Sequence, residues 1–249
     1  MGNAKRFIAL KEILRREARF SRDVERVAFA RFGKAPTTLN VVVSSAVVQL
    51  RRVLEAVPRL GREYGPECMA LARISFDVWS NMEWIHLEDT EHRADDFGHW
   101  LSIHESRIHT DLPNWAADEM RIAAWEIPKQ QAEQHLKAES GGRRPWPKME
   151  QRLNAIAKAH DLKDNQYWVY RILSGSSHGE ANGLARLIDN EPNGSLKAKT
   201  IDGSFIRSAM EISSQNFLLT IKFLLEDEDG ENHEELRTLW AAHNRALKS

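Results

Sequence analysis

"YRILSGSSHG", Tyr170 to Gly179, decides which fold this chain can have. Gly175, Ser177 and Gly179 fit Gly-x-Ser-x-Gly, the turn that presents the nucleophilic serine of many hydrolases. Arg171 and His178 fit another pattern, a cation and an imidazole seven positions apart. The serine reading requires a strand driving into a sharp bend, a helix leaving it, and a parallel sheet beneath. The other requires only a helix.

The surroundings favour the helix. "RFIALKEILRREARFSRDVERVAFARF" (6–32) places Phe7, Ile8, Leu10, Ile13, Leu14, Phe20, Val24, Val27 and Phe32 on one broad stripe, with charges opposite. Gly33, Pro36 and Thr37–Thr38 interrupt it, and a second helix is expected from about 38 to 62, with Pro58 near its end. "PECMALARISFDVWSNMEWIHLED" (66–89) opens with a proline suited to a first turn and closes on acids. Helices are expected next over 90–111, 114–138, 148–160 and 164–177, with the basic, proline-rich loop "SGGRRPWPK" (140–148) among them. "DNEPNGSLKAKTIDG" (189–203) reads as turns with room for a short hairpin, and two amphipathic helices follow. Only "NVVVSSAVV" and "QYWVYRIL" look strand-like, and each also fits a buried helix.

The expectation is therefore all-α: a multi-helix bundle of eight or nine helices in one domain spanning 1–249. Residues 1–35 would be an N-terminal helical extension, and 226–249 an acidic segment with a last helix. With so few strands, Ser177 has no sheet to stand on, and the nucleophile turn is set aside.

Composition narrows the functions. Apolar residues make up 42% and charged residues 29%, as in ordinary globular proteins. Lys and Arg total 35 against 36 acids, so no overall charge advertises a nucleic acid or a membrane. Locally the balance tips: residues 1–34 carry ten Lys or Arg against four acids, and "EDEDGENHEE" (226–235) carries seven acids and no Lys or Arg. Solvated helix faces account for such runs, unless the acidic segment covers the basic one as a built-in inhibitor. The lone Cys68 excludes an internal disulfide and a cysteine-based zinc site. "LNVVVSSAVVQL" (39–50) is too short to span a bilayer. Without a signal peptide pattern, a cytoplasmic protein is expected.

Metal motifs are incomplete. "EWIH" (83–86) is one Glu-x-x-His unit where di-iron bundles use two, and "DTEH" (89–92) lies too near to come from a facing helix. In "HESRIH" (104–109) the five-residue spacing sets the imidazoles about 140° apart on a helix. No metal and no cofactor are expected.

Two polar stripes remain. Arg171, Ser174 and His178 project from one face of a helix. Arg73, Asp77 and Asn81, at i, i+4 and i+8, interrupt the apolar run of Phe76, Trp79, Met82 and Trp84. Charges cost too much to bury unpaired, so the second stripe is either an exposed Arg73–Asp77 ion pair or the wall of a polar cleft.

"LARISFDVWSNMEWIHL" followed by "YWVYRILSGSSHG" resembles the bacterial family known as domain of unknown function 5677, over about residues 60–225. That family shows an Arg and an acid in an apolar helix, then an aromatic segment ending in Ser-x-x-x-His-Gly. This chain has Asp77 where glutamate is commoner. The spacing of Arg171 and His178 is also similar to the Arg-x(4–6)-His motif of HEPN-superfamily helical ribonucleases, many of them toxins or anti-phage effectors.

The HEPN resemblance implies a metal-independent ribonuclease. His178 would move protons, Arg171 would clamp the phosphate, and Ser174 and Asn81 would orient it. It implies a homodimer with a shared cleft, RNA as substrate, and a protein inhibitor or defence-system partner. Arg143, Arg144, Trp146 and Lys148 would bind RNA by charge and stacking, unless the Pro-Trp-Pro loop plugs its indole into the bundle. The alternative function is a non-catalytic helical module that acts through a protein or nucleotide partner.

Overall fold

The computed structural model describes residues 2–31, 37–61, 64–111, 129–140, 146–177, 188–190, 195–198, 203–225 and 231–248. Among these residues the chain forms nine helices: α1 (Gly2–Arg31), α2 (Thr38–Leu60), α3 (Gly65–His86), α4 (Thr90–Asp111), α5 (Lys129–Ser140), α6 (Met149–Ala159), α7 (Tyr167–Ser177), α8 (Gly203–Leu224) and α9 (Glu231–Lys248). Two three-residue strands, β1 (Ile188–Asn190) and β2 (Leu196–Ala198), pair antiparallel between α7 and α8, with Asp189 opposite Lys197. The protein is an all-α bundle with one short hairpin. Both strand-like runs are helical, one in α2 and the other chiefly in α7. Gly175 and Ser177 lie within α7, so no strand leads into a nucleophile turn.

Local chemistry sets the helix ends. Thr37 Oγ1 accepts from the Asn40 N–H at 3.3 Å, which satisfies one of the free donors at the start of α2. Pro58 falls in the last turn of α2, and Gly61 follows with φ +69°, a left-handed conformation glycine adopts without a Cβ clash. Pro66 occupies the first turn of α3, where its missing N–H is no loss. α7 begins at 167, three residues later than the periodicity suggests, because two side chains shape its approach. Asp164 Oδ1 accepts from the Gln166 N–H at 2.9 Å, and Asn165 Oδ1 accepts from the Tyr167 N–H at 3.1 Å. Gln166 takes a positive φ of 58° as the chain turns in.

The main core lies between α3 and α8, the most extensively packed helix pair, with α1, α2, α7 and α9 around them. Phe76 of α3 and Phe217 of α8 are fully buried, together with Leu10 and Leu14 of α1, Leu50 and Leu54 of α2, and Leu173 of α7. Each such side chain contributes roughly 1.5–3 kcal/mol by leaving water. The α3–α8 seam also contains a polar pair, in which Asn216 Nδ2 donates to Ser75 Oγ at 3.0 Å. A smaller core gathers Val42, Ala46, Met82, Ile85, Ala94 and Trp146, with Phe97 and Trp100 packed against it.

α1 contributes to the main core along its apolar stripe and uses its charges at the edges. Arg16 Nη2 reaches Glu235 Oε1 of α9 at 3.0 Å, and Arg6 Nη2 reaches Glu211 Oε1 of α8 at 2.9 Å. Of the acidic stretch 226–235, residues 226–230 lie outside the described residues. No helix among the described residues is long and apolar enough to cross a membrane.

Candidate functional site: a cationic and aromatic cleft

The polar stripe of α3 opens onto a cleft of about 550 Å³ bounded by α3, α4, α6 and α7. Arg73, Asp77 and Asn81 occupy successive turns and line it together. Arg73 Nε lies 3.4 Å from Asp77 Oδ2, the i, i+4 pair that helix geometry permits. The same guanidinium crosses to α7, where Nη2 donates to the Tyr170 hydroxyl at 3.1 Å and the group lies 4.7 Å from the ring centroid. Asn81 Oδ1 is buried in the wall without a hydrogen-bond partner.

The opposite wall comes from the segment entering α6. Trp146 is only 6% exposed, packed on Phe97 at a centroid separation of 4.8 Å, and it also lines the cleft. Lys148 stands at the start of α6, exposed, its N–H donating to Gln151 Oε1 at 3.0 Å. One turn on, Arg152 is also 6% exposed. Its Nη1 donates to the Pro147 carbonyl at 2.5 Å, Nη2 approaches Met149 Sδ at 3.6 Å, and Nε has no partner. Neither described partner is anionic. Burial pulls this guanidinium down to about 10, with Asp77 and Tyr170 opposing the shift, so it stays charged at neutral pH. From α4, Trp100 and His104 complete the cleft, their rings stacked with centroids 5.4 Å apart and planes 5° from parallel.

Five of the residues singled out in the sequence thus share one wall system: Arg73, Asp77, Asn81, Trp146 and Lys148. Trp146 packs its indole into the bundle, one of the two roles weighed for it, and also lines the cleft. Arg171 is exposed on α7 and does not line the cleft; Ser174, half-buried, lies one turn beyond Tyr170 and does not line it either. The reason is rotational: Tyr170 is the residue facing Arg73, and Arg171 stands about 100° further round the helix. His178, Arg143 and Arg144 lie outside the described residues.

Sequence reasoning missed Tyr170, Arg152, Trp100 and His104. One signal was available: Arg152 falls on the apolar face of α6 with Met149 and Ile156, where a hydrocarbon side chain is the rule. Glu83 of "EWIH" is held by an imidazole, His160 Nε2 lying 2.5 Å from Glu83 Oε1. Among the described residues no group of three or more His, Cys, Asp or Glu is arranged to hold a metal ion.

The cleft can place positive charge and flat aromatic faces around one small ligand, which suits an anion that carries a ring. Fold and cleft together define a helical-bundle protein whose polar site is built from helix faces. The chain belongs to the family described as Family of unknown function (DUF5677), whose model matches residues 40–196. The match starts and ends earlier than the 60–225 expected, and it contains α3, α4, α6 and α7, every helix that lines the cleft. No curated protein and no solved structure matches the chain.

Proposed function

We propose that the cleft binds single-stranded RNA and that the protein is a metal-independent, HEPN-like endoribonuclease acting as a toxin or anti-phage effector. One observation carries the reading: Arg73, Lys148 and Arg152 meet Trp100, Trp146 and Tyr170 around a single cavity. Single-stranded RNA is held by this combination, cations for phosphate and rings for bases. Arg152 weighs most, because a buried guanidinium with an unpaired Nε, which feels Asp77 across the cleft but forms no ion pair among the described residues, is only partly compensated until an anion arrives.

In this reading a strand anchored at Tyr170 runs on along α7 past Ser174 toward residue 178. His178 takes the 2′-hydroxyl proton and returns one to the leaving oxygen; Arg171 holds the charged phosphorus intermediate. The enzyme acts as a homodimer and is held off by a protein inhibitor or a defence-system partner. The exposure of Arg171, away from the cleft lining, favours the second reading, a non-catalytic module that acts through a protein or nucleotide partner.

Purified full-length protein incubated in EDTA with a labelled unstructured RNA separates the two. The enzyme reading expects cleavage by wild type, none by His178→Ala or Arg171→Ala, and unchanged RNA affinity for His178→Ala. It expects arrested growth on expression of wild type and normal growth with His178→Ala. RNA binding without cleavage overturns the enzyme reading, and absence of RNA binding overturns the proposed RNA role of the cleft as well.

A further inference from the structure

Away from the cleft, α1 and α2 form an open groove of about 670 Å³, lined by Lys11, Arg15, Arg19 and Arg22 of α1 and Arg59 of α2. We propose that this groove is a second binding site, one that holds the phosphate chain of a nucleic-acid strand through its backbone alone. The cations of α1 form a row. Lys11, Arg15, Arg19 and Arg22, at i, i+4, i+8 and i+11, fall within about 80° of arc on one helix face. Like charges at i, i+4 destabilise a helix, so the row works against folding and calls for anions along it.

The carboxylates of the groove do not neutralise it. Two of them, Glu12 and Glu55, face the five cations. Glu12 is divided between Arg15 and Arg19, 3.6 Å from each and beyond hydrogen-bond length. Glu55 accepts from Arg22 Nη2 at 2.8 Å and is also 3.5 Å from Arg51, which pairs in turn with Glu25 at 2.5 Å. Lys11 and Arg59 form no ion pair among the described residues. The whole chain is nearly neutral, with 35 Lys or Arg against 36 acids, so the positive field is local, and the concave wall focuses it.

The rest of the lining narrows the ligand. Ala18, Leu54 and Pro58 are buried and supply only a hydrocarbon floor, and among the described residues no aromatic side chain lines the groove. A base has no ring to stack on, and a protein partner finds no aromatic anchor. Guanidinium forks match phosphate oxygens two at a time, and a row of them suits a linear chain of phosphates better than a single anion. The groove shares no lining residue with the cleft, and the proposal stands whether or not the cleft takes RNA.

The probe is a fluorescein-labelled abasic oligomer, a deoxyribose-phosphate chain with no bases to stack in the cleft. The full-length protein is expected to bind it, with an affinity that falls steeply as salt rises. Arg15→Gln/Arg19→Gln should weaken binding about tenfold or more at low salt. It should also flatten the slope of log affinity against log salt by about 1.4, two phosphate contacts at about 0.7 each for a single strand. Both side chains are exposed and sit in a self-repelling row, so this variant should unfold at the wild-type temperature or above. Arg152→Met, in the cleft, should bind the oligomer as wild type does. A labelled glutamate oligomer of equal charge reports the competing occupant, an acidic protein segment. The proposal is overturned if the abasic oligomer fails to bind at low salt, or if Arg15→Gln/Arg19→Gln binds it as well as wild type. It is also overturned if Arg152→Met loses as much affinity as the double variant, or if the glutamate oligomer binds as tightly. The first and last of these need no variant.

Discussion

Arg73 of α3 holds Tyr170 of α7 by two contacts at once, a hydrogen bond of 3.1 Å to the hydroxyl and a guanidinium 4.7 Å from the ring centroid. Tyr170→Phe keeps the ring and removes the acceptor. The expected loss is about 1 kcal/mol of stability, the net worth of one such bond, and a several-fold loss of RNA affinity as Arg73 loosens. Tyr170→Leu removes the ring as well and should cost more on both counts. Thermal unfolding and fluorescence anisotropy with a labelled oligonucleotide measure the pair.

Arg152 gives a sharper test because its two roles predict opposite signs. Arg152→Met keeps most of the volume and removes a buried charge, so stability should hold or rise by about 1 kcal/mol or more. Affinity for RNA should fall at least tenfold in the same variant, with a shallower dependence on salt. A variant that is less stable and binds RNA normally would show that Arg152 serves the scaffold alone.

A buried cluster where α1, α8 and α9 meet sets a pH dependence. Glu17 is fully buried, and burial raises its carboxyl to about 8, against the opposing effects of the Ser214 hydrogen bond and Arg16. Ser214 Oγ lies 2.6 Å from Glu17 Oε1 and 2.8 Å from His243 Nδ1. From its ordinary value of 4.5 up to about 8, the folded protein keeps a proton that the unfolded chain has released. Stability therefore falls as pH rises through that window, at about 1.4 kcal/mol per pH unit from this group, and levels off above it. Burial lowers His243 from 6.5, so it adds a loss on the acid side, as the unfolded chain takes up a proton below about 6.5. Glu17→Gln keeps the acceptor oxygen for Ser214 and abolishes the Glu17 contribution. Urea melts at several pH values between 5 and 8.5 should show the variant gaining on wild type as pH rises, by an amount on the order of 3 kcal/mol at the top of the range.

Cys68 offers a reporter of opening. Its thiol is buried, lies 3.7 Å from the Val57 carbonyl, and is pushed up to about 11 by burial and by Glu67. The thiolate is the reactive form, so a disulfide-exchange reagent at pH 8 should leave the folded protein unlabelled for hours. Labelling should become complete in denaturant, and destabilising substitutions in α2 or α3 should speed it. Rapid stoichiometric labelling of the native protein would contradict the packing of the α2–α3 corner.

Periodicity alone made the bundle legible, because a stripe such as Leu10, Ile13 and Leu14 is a local property of the chain. The same holds for Arg73, Asp77 and Asn81, whose spacing on one helix face is arithmetic. What periodicity could not give is which residue of α7 turns toward α3. Tyr170 and Arg171 are neighbours in sequence, and a single helical step decides that the phenol meets Arg73 while the guanidinium faces water. Arg152 escaped for a related reason. It shares the apolar face of α6 with Met149 and Ile156, and the helices packed on that face make its position an interior one. The start of α7 depended on Asp164 and Asn165 bonding to the backbone ahead of them, a competition that helical patterning does not register.

The main core and the smaller one around Trp146 meet at α3, and the cleft straddles the join: Tyr170 packs against the large cluster, and Trp146 belongs to the small one. Two hydrophobic bodies of unequal size melt with unequal ease. The smaller cluster should therefore open to solvent at less free-energy cost than the larger, so backbone amides around Trp146 and Met82 should exchange with deuterium sooner than those around Phe76 and Phe217.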